Sequence, residues 1–128
     1  MSRAELDIRV ARVVDGAIVV HRALGPGLLE SAYEACLAHE LRRRGSGVEV
    51  QVSLPVAYAG IRVDMAYRVD LIIDDAVIVE LKTVAKLQPI HEAQLLSYLK
   101  MSGYRIGLLI NFQVSLLKDG IKRMVNDF

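Results

Sequence analysis

The chain of 128 residues has a single cysteine, Cys36, so no internal disulfide can form, and no Cys or Cys/His cluster shows the spacing of a zinc site. A reducing, cytoplasmic setting is expected. Long hydrophobic runs are also missing: Asp15, His21 and Arg22 interrupt the first apolar segment, and nothing approaches the roughly 18 residues of a membrane-spanning candidate. The opening "MSRAELDIRVARVVDGAIVVHRALG" lacks a secretory signal's order of basic start, unbroken apolar run and small-residue cleavage site. No membrane partner is expected. Nor does charge of one sign dominate, since 16 basic and 15 acidic residues leave +1 and no overall field that would attract a polyanion. Nucleic-acid contact would have to come from a local patch. The one dense basic run, Arg42 to Arg44, reads as a solvated helix C-terminus favoured by the macrodipole.

What is present is apolar material arranged in short periodic segments. A hydrophobic content of 53% is enough for a core in one domain spanning 1–128, with no repeats, linkers or low-complexity tract. Leu6, Val10, Val13, Val14, Ala17, Ile18 and Leu24 recur at helical spacing between Ala4 and about Leu24. The segment Gly25 to Gly27 stops that helix, and "LLESAYEACLAHELRRRG" restarts a second one ending near Gly45. Three antiparallel strands are expected next, "VEVQVSLPVAYA", "IRVDMAYRVDLII" and "AVIVELK", the last two joined by an acidic turn at Asp74-Asp75. A helix over "QPIHEAQLLSYLKMSG", a buried strand over "YRIGLLINF" and one more strand in "SLLKDGIKRMVNDF" complete the order α-α-β-β-β-α-β-β.

Charges fall in unexpected places on this frame. Alternation along the third strand puts Glu80 and Lys82 on one face with Ile78, while Val77, Val79 and Leu81 take the other. If the preceding turn is the three-residue loop Asp74 to Ala76, Asp70 lies opposite Glu80, whereas a two-residue turn would split them across the sheet. Two carboxylates at about 5 Å between Cβ atoms repel and raise one pKa unless a cation sits between them. A divalent metal resolves that conflict, and Mg²⁺ with two carboxylates and several waters suits phosphate chemistry. Lys82, about 6.6 Å along the strand, can orient a water or hold the phosphate. Equally, Asp70 can be a strand-edge charge and Glu80 with Lys82 a surface ion pair.

The helices add further candidates. Glu30 lies within about 20° of Leu37 and Leu41 on the helical wheel, so a carboxylate sits on an apolar stripe and needs a metal, a hydrogen-bond network or a wet cleft. With Gly27 as N-cap, it is alternatively an N3 residue favoured by capping. In the third helix His91, Gln94 and Tyr98 share a stripe beside Ile90, Ala93, Leu96 and Leu99. That stripe faces the same cleft or a half-exposed edge, and His91 alone reads as a satisfied boundary histidine.

"GPGLLESAY", "VDLIIDDAVIVELK", "HEAQLLSYLK" and "GLLINF", in that order, resemble the GxxExxY proteins of the PD-(D/E)XK nuclease superfamily over roughly residues 10 to 125. The resemblance implies an α/β fold with a restriction-endonuclease-like core, a mixed β-sheet flanked by helices. It implies that Asp70 and Glu80 are metal ligands with the backbone carbonyl of Leu81, that Lys82 is the catalytic lysine, and that Glu30 completes the acidic cluster. Gln94 and Tyr98 match a Q-x-x-x-Y element that supports the site and contacts substrate, while Tyr33 belongs to the signature with a role in packing. Val69 stands where the superfamily's motif has proline, which is not a ligand.

The expected function is therefore divalent-metal-dependent (Mg or Mn) hydrolysis of DNA or RNA. The alternative is a catalytically silent nuclease-like module that binds nucleic acid or a protein partner, which the near-neutral charge and small size favour. A mean hydropathy of +0.33 points to apolar surface that a homodimer would cover, and a dimer is compatible with either function.

Overall fold

The computed structural model describes residues 1–126, apart from the side chain of Met65. Helix α1 (Arg3–Leu24) starts at Ser2, whose side chain accepts from the Glu5 N–H, and ends at Gly25, whose φ of 67° is left-handed. Helix α2 (Glu30–Arg43) follows a five-residue connection. Strands β1 (Val48–Tyr58), β2 (Ile61–Ile73) and β3 (Val77–Lys82) come next, then α3 (Pro89–Ser102), β4 (Ile106–Asn111), a 3₁₀ turn (Leu117–Gly120) and β5 (Ile121–Val125). This is the expected order. Asp127 and Phe128, at the end of the last expected strand, lie outside the described residues.

The five strands form one sheet in the order β1-β2-β3-β4-β5. Neighbours are antiparallel except β3 and β4, which run parallel with α3 as their crossover. Helices α1 and α2 cover one face, where Val13, Ala17, Leu37 and Leu41 meet Leu71, Val77, Val79, Leu81, Leu108 and Ile110. Helix α3 covers the other, where Leu95 and Leu99 meet Ile72, Ile78 and Leu109. It lies close because Gly107 has no side chain: a Cβ there would stand 2.9 Å from Leu95 Cδ1. That close approach corrects the expected stripe of α3. Leu95 and Leu99 are buried and Leu96 half-buried, while Ile90 and Ala93 are exposed. In α1 the apolar face is rotated slightly from expectation, with Val20 and His21 buried and Leu24 exposed.

Two features of the sheet determine where its acidic residues come to lie. The β2–β3 loop is the three-residue form, Asp74 to Ala76, pairing Ile73 with Val77, Ile72 with Ile78 and Leu71 with Val79. Asp74 and Asp75 both take left-handed backbone, with φ of 52° and 50°, which aspartate tolerates better than most residues. The second feature is a change of face. Val69 and Leu71 should share one side of β2, yet Val69 packs under α3 and Leu71 under α1 and α2. On β1, Val48 and Val52 divide in the same way. Both strands turn over at the facing residues Asp70 and Gln51, and the register is unchanged on either side, Val50 with Leu71 and Val52 with Val69. Among the described residues no helix is long and apolar enough to cross a membrane.

Candidate active site

The β2–β3 ladder ends at Leu71 and Val79, and one step further the two strands are joined by carboxylates instead of by ladder bonds. The Asp70 N–H donates to Glu80 Oε1 at 2.9 Å, and the Leu81 N–H donates to Asp70 Oδ2 at 2.8 Å. The odd loop thus brings Asp70 and Glu80 together. Glu80 is only 8% exposed. Burial, and then the negative charge of Asp70, push its carboxyl up to about 8, against the opposing pull of the Asp70 N–H and of Lys82. Lys82 is half-buried at the end of β3, opposite Asn111 on β4.

The strand beyond Lys82 is fixed by Asn111, whose amide donates to the Val84 carbonyl at 2.8 Å and whose oxygen accepts from the Val84 N–H at 3.1 Å. Thr83 between them reaches Glu30 Oε2 at 3.5 Å, so the first residue of α2 stands over the end of β3. Glu30 is exposed and follows Leu29 as N-cap, which makes it the first helical residue. The capping reading of Glu30 is thereby corrected, since it is the first helical residue and not N3, and its place near the apolar stripe is met by exposure and the Thr83 contact. The cause is Tyr33. Its hydroxyl donates to the Gly25 carbonyl at 2.5 Å and accepts from the Leu28 N–H at 3.1 Å, while its ring stacks on Phe112 at 4.4 Å. Gln113 accepts from the Gly27 N–H at 2.9 Å. These bonds fix the connection from Gly25 to Leu29 outside the helix and delay its start by two residues.

From the other face α3 supplies Tyr98, stacked on Tyr67 at 4.6 Å. Burial raises the Tyr98 phenol, and the charges of Glu80 and Asp70 raise it further, so its hydroxyl stands in the field of the two acids. Gln94, one turn earlier, is exposed and has no side-chain hydrogen bond among the described residues. His91 serves the helix start, its Nδ1 accepting from the Gln88 N–H at 2.9 Å in a capping box. The structure therefore gathers Asp70, Glu80, Lys82, Glu30 and Tyr98, and employs Tyr33 and His91 as framework.

Two residues without a sequence-based assignment join the cluster. Gln51 Nε2 donates to Glu34 Oε2 at 2.8 Å and to Asp70 Oδ1 at 3.2 Å. Glu34 is raised by burial, and the charges of Asp70 and Glu30 add to that against the Gln51 bond. A sequence signal for Glu34 exists in its spacing, four residues after Glu30 on one helix face. The basic run is not part of the site: Arg43 and Arg44 pair with Glu40, and Arg42 donates to the Val48 carbonyl.

The donor set is carboxylate oxygen, which suits a hard divalent cation that retains waters. Nearly buried Glu80 beside Asp70 is the conflict such an ion relieves. Among the described residues no three His, Cys, Asp or Glu side chains form a ready-made metal cage. Protein ligation would begin from the Asp70–Glu80 pair.

A family model of the PD-(D/E)XK nuclease superfamily matches residues 8–124. The chain belongs to the PD-(D/E)XK nuclease superfamily. The mixed sheet between helices is accordingly the restriction-endonuclease-like fold, whose members usually act as nucleases with divalent metals. A solved structure titled "Crystal structure of SSO0001" is similar in fold, with a TM-score of 0.51 and 21% identity over 77% of this chain and 50% of that one. This superfamily domain spans half the length of that solved chain. No curated protein matches this chain.

Proposed function

We propose that this superfamily member is a Mg²⁺- or Mn²⁺-dependent nuclease that hydrolyses phosphodiester bonds of DNA or RNA. The observation that carries the reading is the junction of Asp70 and Glu80 where β2 and β3 part, with Lys82 on the same strand. Asp70, Glu80 and the Leu81 carbonyl would hold the metal, and Glu30 would complete the acidic set. When bound, a divalent cation supplies charge neutralisation and Lewis acidity at a phosphoryl oxygen. Asp70 is pre-oriented by the Leu81 N–H and Glu80 by the Asp70 N–H, so neither acid has to be ordered on binding.

Lys82 is the catalytic cation in this reading. Its ammonium donates to the attacking water or to a non-bridging oxygen as negative charge develops there. Tyr98 keeps its proton at neutral pH and offers an O–H to substrate, with Gln94 beside it. The spacing Gly27, Glu30, Tyr33 supports membership of the GxxExxY branch in this reading, with Tyr33 clamping Gly25 and Leu28.

A net charge of +1 favours a second reading, a silent nuclease-like module that binds nucleic acid or a protein partner. Incubating the protein with end-labelled and circular DNA and RNA, in Mg²⁺, Mn²⁺ or EDTA, separates the two. Metal-dependent cutting supports the nuclease; binding without cutting in every metal supports the module.

A further inference from the structure

Gln51 has a left-handed backbone, φ 50°, inside an eleven-residue strand. A non-glycine side chain there is strained. The distortion is local, because pairing resumes in the same register on both sides. Its result is that the side chain of Gln51 reaches both Asp70 on β2 and Glu34 on α2 with one amide nitrogen, a group that has two hydrogens to give. Both bonds are exposed, and exposed hydrogen bonds add little stability, so these two bonds by themselves do not offset the strain, which also turns β1 over between Val48 and Val52. Strain of this kind gathers at functional sites. The chemistry of the amide matters as well. It is neutral, so it ties two carboxylates together and leaves their charge available to a cation, which an arginine or lysine would quench.

We infer that Gln51 is a positioning residue for the metal centre: it fixes Asp70 through Oδ1, while the Leu81 N–H fixes Oδ2, and it draws Glu34 into the acidic set as a further support for the cation. The inference rests on the nuclease reading of this site. Positioning partners of metal ligands typically change affinity by roughly ten-fold or more when removed.

The test uses Gln51→Gly and Gln51→Ala, each compared with the parent by Mn²⁺ titration calorimetry without substrate and by thermal melting. Both variants lack the amide, and only glycine also releases the strain. The expected result is Mn²⁺ affinity roughly ten-fold or more weaker in both, with Gln51→Gly melting at or above the parent and Gln51→Ala below Gln51→Gly. Parent-like Mn²⁺ affinity in both variants would overturn the inference and leave the nuclease reading standing. A Gln51→Gly variant that melts well below the parent with unchanged affinity would make Gln51 a structural tie and overturn it too. Absence of Mn²⁺ binding in the parent would overturn both this inference and the metal-dependent reading.

Discussion

Glu80 links the site to the stability of the fold. Its folded-state pKa of about 8 lies above the ordinary 4.5, so the folded chain holds a proton that the unfolded chain has lost between those values. The stabilising contribution is therefore fully present below pH 4.5 and is lost as pH rises toward 8. In that window the slope from this one group is about 1.4 kcal/mol per pH unit. Metal-free protein should melt progressively lower from pH 5 to pH 8, Glu80→Gln should lack that component, and Mg²⁺ should raise the melting temperature more at pH 8 than at pH 5. Equal slopes in parent and Glu80→Gln would show that the burial of this carboxyl is not what couples stability to pH. Tyr33 gives a second test at this scale. Tyr33→Phe keeps the stack on Phe112 but orphans the Gly25 carbonyl and the Leu28 N–H, at a cost of about 1–2 kcal/mol. Denaturant unfolding reads that directly, and an unchanged midpoint would remove Tyr33 from its role as clamp.

At the scale of elements, the sequence reveals the parts that depend on period and loop parity. Alternation in "AVIVELK" and the Asp74-Asp75 turn are enough to place Asp70 opposite Glu80 once the loop has three residues, as it does. The start of α2 is less legible, because Gly27 looks like a cap until Tyr33 and Gln113 claim the backbone around it. The part played by Gln51 is not legible at all. A positive φ at glutamine contradicts its local preference, and only the juxtaposition of β1, β2 and α2 supplies its two acceptors. Asn111 depends on tertiary structure in the same way, since its amide holds Val84 across the end of β3. Its position also sets a third prediction. A Cβ on Gly120 would come within 2.3 Å of the Asn111 backbone oxygen, so Gly120→Ala must shift the end of β4. Overpacking of this kind costs about 1–3 kcal/mol, and it should disturb Thr83 and Lys82 along with the fold. A Gly120→Ala protein that melts like the parent would contradict that packing.

Across the whole molecule, two helical layers enclose the sheet and leave the carboxylates of Asp70 and Glu80 at the point where β2 changes face. With a net charge of +1, a nucleic-acid strand would gain little from the protein's overall field, and local groups would have to hold it. Activity would then depend on the metal for binding as well as for chemistry. The most direct measurement is single-turnover cleavage of labelled DNA and RNA by the parent and by Lys82→Ala at saturating Mg²⁺ or Mn²⁺, with melting curves to verify that both are folded. Metal-dependent cutting by the parent is expected, with a loss of at least about 10²-fold in the variant, the scale of removing one transition-state charge stabiliser. A folded Lys82→Ala protein that cuts as fast as the parent would contradict that expectation.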